Sequence, residues 1–138
     1  MGPSIANGEA LSENFAKGIV TGTTKSLTKK AMGFVDVRDC ALAHLNAVKV
    51  EEAKNRRFIL SAESVWFRDA AQMIHDEFAS KGYPVTLTED AEGETHCTLF
   101  DHTASEKVLG INYTPVKEMF KHMIEAMIET GKIDPPSK

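Results

Sequence analysis

The stretch Gly33-Phe34-Val35-Asp36-Val37-Arg38-Asp39-Cys40-Ala41-Leu42-Ala43-His44 sets the fold class, because it changes from a strand pattern to a helix pattern. Its first three residues form a short, mostly apolar run that predicts a strand. Asp36 can cap the free amides at a helix start, and Asp39 adds negative charge at the positive end of the helix dipole. The stretch therefore predicts a strand that leads into a helix ending near Val50.

Further elements are predicted on both sides of this stretch. Apolar residues three or four positions apart predict helices at 10–21, from Ser64 to near Gly82, and from Thr114-Pro115 to before Gly131. A capping box at Thr103-Ala104-Ser105-Glu106 predicts a short helix that Gly110 ends. Short apolar or alternating runs predict strands at 57–61, 84–88 and 97–100. The predicted class is α/β, with an α+β arrangement for the chain taken by itself.

Length and composition are those of one globular domain. The chain has 138 residues, of which 42% are hydrophobic and 26% charged. A chain of this length buries roughly two-thirds of the surface of its unfolded form, so its core needs no disulfide or metal. We predict a single domain over 1–133, a solvated loop at 22–32 and a disordered tail over 134–138.

Charge and cysteine usage exclude several classes of function. The 16 Lys and Arg residues are outnumbered by 20 Asp and Glu residues, so no basic excess is present to bind nucleic acid. Cys40 and Cys97 form no CxxC pair, which fits a reducing compartment, and both are predicted to be mostly buried. No signal-peptide pattern and no apolar run of about 18 residues is found. We therefore predict a cytoplasmic protein without a membrane or nucleic-acid partner.

Three short motifs resemble chemical sites without the context that the chemistry needs. Gly18 to Ser26 resembles a phosphate loop, but two threonines separate its second glycine from the lysine. The segment 113–117 matches Tyr-x-x-x-Lys, yet Pro115 belongs in the first turn of a helix and leaves Tyr113 outside it, so Tyr113 is predicted to pack a turn. His96, Cys97, Asp101 and His102 have zinc-ligand types, but adjacent strand residues point to opposite faces, so no metal site is predicted.

Four segments carry a resemblance to a known family: Gly2-Pro3-Ser4, the stretch 34–44, Arg57-Phe58-Ile59-Leu60-Ser61, and an ending with Asp101, Ser105, Leu109, Gly110, Tyr113 and Pro115. In this order they resemble the C-terminal part of extended short-chain dehydrogenases/reductases, in the NAD-dependent epimerase/dehydratase superfamily. The resemblance is to the dihydroflavonol reductase, cinnamoyl-CoA reductase and methylglyoxal reductase type. Glu106 stands where the family usually has lysine. The match covers nearly the whole chain.

The resemblance implies the substrate-side lobe and the last sheet elements of a Rossmann-type reductase, without its first Rossmann half. In the family, the glycine-rich cofactor turn, the catalytic Ser or Thr and the true Tyr-x-x-x-Lys lie upstream of the Gly-Pro turn. The implied function is therefore the substrate-side portion of a carbonyl reductase of the dihydroflavonol or aldehyde type that is not catalytically competent alone. NADP or NAD is the implied cofactor of the complete enzyme, and neither is expected to bind the isolated chain.

Few site residues carry over from the family. Ser12 is implied to touch the cofactor, with a plain helix-start role as the alternative. The implied substrate pocket contains Ser4, Ile5, Leu11 and Phe15, whereas no catalytic residue and no metal ligand is assigned. Gly33 stands where such reductases often place a polar substrate contact. The alternative function is a binding module that offers its pocket or a sheet edge to a partner, and self-association is also expected.

Overall fold

A small sheet and a set of helices are described in the computed structural model over residues 1–3, 10–88 and 95–136. The helices are α1 (Leu11–Val20), α2 (Val37–Lys49), α3 (Phe67–Phe78), α4 (Thr103–Leu109) and α5 (Val116–Glu129). The strands are β1 (Lys30–Phe34), β2 (Glu63–Trp66) and β3 (His96–Cys97), and short 3₁₀ turns occupy Glu51–Ala53 and Ala79–Lys81. This mixture confirms the predicted α/β class.

The sheet has β1 at its centre, with the order β2-β1-β3. β2 runs antiparallel to β1, so that Ala31 faces Trp66 and Phe34 faces Glu63. β3 runs parallel to β1 and pairs Ala31 with Cys97. The central strand therefore brings residues from both halves of the chain to one place.

The main core lies between α1, α3, α5 and one face of the sheet. Met119, Met123 and Met127 of α5 are at most 2% exposed, which confirms that this methionine stripe belongs to the core. Phe34 of β1 reaches the same core and packs edge-on against Phe120, with 5.3 Å between ring centroids. Burial of each such side chain stabilises the fold by roughly 1.5–3 kcal/mol.

A second, smaller core joins α2 to α4. Its buried members are Ala43, Ala53, Leu109 and Ile111. Asn46 of α2 donates a hydrogen bond to the carbonyl of Leu109 at 2.7 Å, and Gly110 ends α4 in the left-handed region at φ 64°, as predicted. α2 thus contacts the rest of the molecule through one narrow face.

The start of α2 agrees with the sequence prediction. The Asp36 side chain accepts a hydrogen bond from the Arg38 backbone N–H at 2.8 Å, as an N-cap does. The Asp39 side chain accepts a hydrogen bond at 2.7 Å from the backbone N–H of Thr114, just before α5. Two carboxylates therefore fix both the start of α2 and its position relative to α5.

Several predicted elements differ from the structure around β2. The strand predicted at 57–61 is wrong, because residues 63–66 pair with β1 instead. The same pairing delays the next helix, so α3 starts after Trp66 and the predicted cap at Ser64 is also wrong. Local apolar content predicted a strand without identifying the segment that would pair with β1.

Other corrections concern segments near the ends of strands and helices. The loop predicted at 22–32 is shorter, since β1 starts at Lys30 and Leu27 is buried. No strand forms at 84–88, although the N–H of Thr86 donates to the carbonyl of Ile19 at 2.9 Å. The predicted capping box is wrong, because α4 starts after His102 and the Thr103 N–H donates to Asp101 at 2.9 Å.

Two further predictions concern exposure. The expected burial of Cys97 is wrong, because it lies exposed on β3, whereas Cys40 is partly buried. In the predicted tail, Pro136 lies against Gly82, and residues 137 and 138 lie outside the described part. Within the described ranges, no helix has the length and apolar character needed to cross a membrane.

Candidate functional site

An apolar cavity of about 590 Å³ lies between the start of α1 and the strand β1. α1 contributes Leu11, Ser12, Asn14 and Phe15, and the strand contributes Lys30, Met32, Gly33 and Phe34. The remaining lining residues are Met1, Val35 and Phe67. A volume of this size falls in the range of small-molecule sites.

One wall of the cavity is aromatic. Phe15 packs against Phe67 with 4.6 Å between ring centroids, and the centroid of the Phe34 ring lies 6.4 Å from that of Phe15. Phe15 also contacts the buried Phe120 of the core at 6.2 Å. The aromatic wall is therefore continuous with the main core, which holds the rings in place.

Gly33 lies on the strand side of the cavity where no side chain fits. A Cβ added there would meet the Phe100 ring and the Ser61 hydroxyl, both at 2.6 Å. Ser61 is buried, and its Oγ has no hydrogen-bond partner among the described residues. The polar substrate contact that the family often has at this position is thus absent, and close packing excludes it.

The structure brings together the predicted site residues that it describes. Leu11, Ser12 and Phe15 all line the cavity, with Leu11 89% exposed at its rim and Phe15 packed into its wall. Ser4 and Ile5 lie outside the described residues. The assignment of Ser12 to the cofactor stays a prediction, because the cavity contains it together with the residues assigned to the substrate.

Sequence reasoning missed the contribution of β1 to this cavity. Lys30 and Met32 fell in a segment predicted as a solvated loop, and Phe67 in the interior of a predicted helix. The sequence offered little signal here: Ala31 and Phe34 are buried, but they lie three positions apart and so do not show the period of two that marks a strand. The preceding run of Thr, Ser and Lys favoured a loop.

A buried carboxylate, that of Asp36, follows the lining residue Val35 in the chain. Asp36 is fully buried and forms a two-point ion pair with Arg38, from Nε to Oδ1 at 2.8 Å and from Nη2 to Oδ2 at 2.7 Å. Burial alone would raise the pKa of Asp36, but the hydrogen bonds and charge of Arg38 outweigh it and lower that pKa. Arg38 also donates to His122 Nδ1 at 3.0 Å, which links this pair to α5.

The Tyr-x-x-x-Lys match does not assemble into a catalytic pair. α5 begins at Val116, so Tyr113 lies outside the helix, as predicted. The Tyr113 hydroxyl lies 2.6 Å from the Ser105 hydroxyl, and its ring packs on the second core, while Lys117 is exposed. This geometry gives Tyr113 a packing role between α4 and α5.

Other motifs from the sequence form no site within the described ranges. No group of three or more His, Cys, Asp or Glu side chains in 1–3, 10–88 and 95–136 could hold a metal ion. His44 Nδ1 lies 2.7 Å from the Cys40 carbonyl oxygen, to which it donates, so this nitrogen is not free to accept the thiol proton. The segment resembling a phosphate loop begins inside α1 and does not follow a strand.

The helix N-termini near the cavity do not fit the pyrophosphate of a dinucleotide. Such a group binds where free backbone N–H groups and the helix dipole meet a negative charge. α2 already carries the buried carboxylate of Asp36 at this position, and α1 has the buried Glu13 in its first turn. At each of these helix starts a carboxylate therefore already accepts from the free backbone N–H groups.

Comparison with known proteins relates the chain to reductases, although no family model matches it. It is 28% identical over 120 residues to cinnamoyl-CoA reductase 1 of Petunia hybrida, covering 86% of this chain and 35% of that protein. It is 32% identical over 89 residues to the NADPH-dependent methylglyoxal reductase of Saccharomyces cerevisiae, covering 62% of this chain and 26% of that protein.

A solved structure shows the same fold. The yeast methylglyoxal/isovaleraldehyde reductase complexed with NADPH superimposes with a TM-score of 0.71 at 24% identity, over 95% of this chain and 44% of that protein. The chain thus spans less than half the length of each of these three proteins, at 35%, 26% and 44%. The resemblance inferred from the sequence is confirmed: over nearly its whole length the chain is similar to the C-terminal part of extended short-chain dehydrogenases/reductases.

Proposed function

We propose that this chain is the substrate-side portion of an NADH- or NADPH-dependent carbonyl reductase and that it is not catalytically competent alone. The observation that carries the proposal is the cavity of about 590 Å³, which gathers Leu11, Ser12 and Phe15. These are the described residues that the family resemblance assigns to the substrate wall or the cofactor contact. The cavity has the size and apolar lining of a small-molecule site.

An unpaired backbone segment supports the incomplete character of the chain. None of residues 57–61 forms a backbone hydrogen bond with another described residue, although Phe58 and Leu60 pack against the second core. Ile59, between them, is 49% exposed. An alternating run with free N–H and C=O groups is suited to pair with a further strand.

The outer face of α2 supports the same proposal. We call this surface the α2 apolar face, and it consists of Val37, Leu42, Leu45 and Val48, which are between 43% and 87% exposed. Because soluble proteins rarely expose several large apolar residues on one helix, such a surface indicates a covering partner. Phe58 and Leu60 of the unpaired run pack on the cluster that contains Ala43 of the same helix, so both features involve α2.

The partner that fits both features is the nucleotide-binding half of a related reductase. The relatives extend well beyond the matched region, and one of them is named as NADPH-dependent. Since both helix starts near the cavity carry carboxylates, we expect the partner to supply the pyrophosphate site. The substrate is a small carbonyl compound in this proposal, and the location is cytoplasmic.

The decisive experiment combines the chain with a separately produced nucleotide-binding half of the yeast methylglyoxal reductase. We expect NADPH oxidation with an aldehyde panel only in the mixture, and no binding of NADPH to the chain alone tighter than about 10 μM by calorimetry. Tight binding by the chain alone would contradict the proposal.

A variant pair tests whether the cavity is the substrate pocket. Met32→Trp fills the cavity and should reduce kcat/KM of the mixture by about ten-fold or more without changing its affinity for NADPH. Leu99→Trp, at an exposed position that does not line the cavity, should leave both unchanged. Equal effects of the two substitutions would exclude the cavity, and a stable mixture without any reductase activity would favour a binding module.

A further inference from the structure

The polar lining of the cavity indicates more about its ligand than the aromatic wall does. Lys30 has the one charged side chain among the described lining residues, and no carboxylate lies among them. The other cation of the lining is the α-ammonium group of Met1, which donates to the Val35 carbonyl at 2.6 Å. Lys30 is partly buried on β1. No carboxylate of the described residues pairs with its ammonium group.

Two other partly buried lysines of this protein form ion pairs. Lys132, with a side chain 20% exposed, pairs with Glu13 at 3.0 Å. Lys121, with a side chain 41% exposed, pairs with Glu77 at 3.6 Å. Removing a cation from water without a counter-charge is unfavourable, so an unpaired lysine at an apolar cavity favours an anionic ligand there.

Two neutral polar side chains line the same cavity. Ser12 and Asn14 lie on α1, and neither side chain hydrogen-bonds to another described residue. A hydroxyl and an amide can each donate a hydrogen bond to an oxyanion. The hydroxyl, the amide and the ammonium group of Lys30 are three kinds of hydrogen-bond donor, and the aromatic wall of the same cavity is apolar.

We propose that this cavity binds a molecule with an apolar body and an anionic group, a carboxylate or a phosphate, and that Lys30 recognises the anion. The apolar body lies against Phe15, Phe34 and Phe67. The proposal rests on the proposed function in one respect, namely that this cavity is the substrate pocket. It adds that the pocket selects a negatively charged ligand.

Binding to the full 138-residue chain tests this charge selection directly. N-phenylnaphthylamine, an uncharged fluorescent probe, would be bound first and displaced by decanoate, decyl phosphate, decanol and decyltrimethylammonium. We expect the two anions to displace the probe at concentrations about ten-fold lower than decanol, since a hydrogen bond to a charged group contributes more than a neutral one. Decyltrimethylammonium, the one cation of the set, should displace the probe least effectively. The ratio between decanoate and decyl phosphate identifies which anion is preferred.

Matched variants identify the cation responsible. Lys30→Met should weaken the binding of the two anions about ten-fold and leave the binding of decanol unchanged, whereas Lys30→Arg should retain anion binding. Lys29→Met removes the same charge from the neighbouring exposed residue outside the cavity and should have no effect. Thermal melting of each variant verifies folding.

Two outcomes would overturn the inference. Equal displacement by anions and decanol, or equal loss in Lys29→Met and Lys30→Met, would show that Lys30 selects no anion. Neither outcome depends on NADPH or on a second protein, so this inference can fail while the reductase proposal holds. Conversely, anion selection without activity in the mixture would contradict the proposed function alone.

Discussion

At the residue scale, Asp36 is the side chain on which most local structure depends. It caps α2, pairs with Arg38 at two points and packs against Gly2, where an added Cβ would approach its Oδ1 within 3.2 Å. Because Arg38 also contacts His122, one carboxylate connects the chain start, α2 and α5. Its charge is therefore a structural requirement rather than a solvated surface feature.

Substitution of Asp36 by Asn keeps the capping oxygen and removes the charge. We expect a loss of about 1–2 kcal/mol in the free energy of unfolding near neutral pH, because the bonds to Arg38 lose their ionic character. The pKa of Asp36 is lowered from its ordinary value of 3.8, so its contribution is present above that pH and is lost as the pH falls through the lowered folded value.

Urea unfolding from neutral to acid pH measures this dependence. The difference between wild type and Asp36→Asn should be constant above pH 3.8 and shrink below it. Asp134→Asn, at an exposed carboxylate, serves as the control and should change little at any pH. A difference that persists unchanged in acid would show that the ion pair is not its source.

Tyr113 provides a second test at the residue scale. Tyr113→Phe keeps the ring on the second core and removes only the hydroxyl bonded to Ser105. We expect a loss of about 1 kcal/mol in stability and nearly unchanged turnover in the mixture with the nucleotide-binding half. Tyr83→Phe, at a buried ring that packs edge-on against Phe78, is the control for the loss of a phenol hydroxyl. A roughly thousand-fold fall in turnover would instead assign Tyr113 to acid catalysis.

At the element scale, α2 is the helix with the least internal cover. Only Asp39 and Ala43 are buried on it, whereas the α2 apolar face points away from both cores. The double substitution Leu45→Glu/Val48→Glu should change the free energy of unfolding by no more than about 0.5 kcal/mol relative to wild type, because these positions make few internal contacts.

The same double substitution should abolish self-association. We expect wild-type chain at micromolar concentration to sediment as a dimer or larger species and the variant to sediment as a monomer, since the exposed apolar surface drives the contact. Leu99→Glu changes a residue of similar exposure, 80%, outside this face and should not alter association. A wild-type monomer at all concentrations would contradict this prediction.

The elements also show what a sequence pattern can predict. α5 was predictable because its apolar stripe and the Thr114-Pro115 start are local signals. The strand at 57–61 was not, because a strand is defined by its partner, and β1 pairs with Glu63–Trp66 instead. The α1 residues of the candidate site were assigned from the family resemblance, whereas the contribution of Lys30 and Met32 depends on pairing across the sheet.

At the scale of the whole molecule, the two unpartnered features both involve α2, one at its buried side and one at its exposed side. Residues 57–61 pack beside α2, and both are separate from the main core around α5. Because a ligand that binds only the folded state stabilises it, a nucleotide-binding half present at about one hundred times its dissociation constant should add roughly 2.7 kcal/mol. We expect the thermal midpoint to rise by about 5–10 °C.

Differential scanning calorimetry with and without that half measures the shift. The Leu45→Glu/Val48→Glu variant should show a much smaller rise, because the half would have to cover two carboxylates. Met32→Trp, which changes the cavity and not this surface, should keep the full rise. A sharp wild-type melt that ignores the added half would instead favour an autonomous binding module.

The contact between Glu13 and Lys132 has a consequence for how the last part of the described fold affects the first. Glu13, in α1, is 4% exposed and meets Lys132, which follows α5, at 3.0 Å. A buried carboxylate is costly without a counter-charge, so the position of α1 depends on a residue 119 positions later in the chain. Removal of the segment after α5 would therefore weaken the placement of α1 and, with it, the aromatic wall of the cavity to which Phe15 belongs.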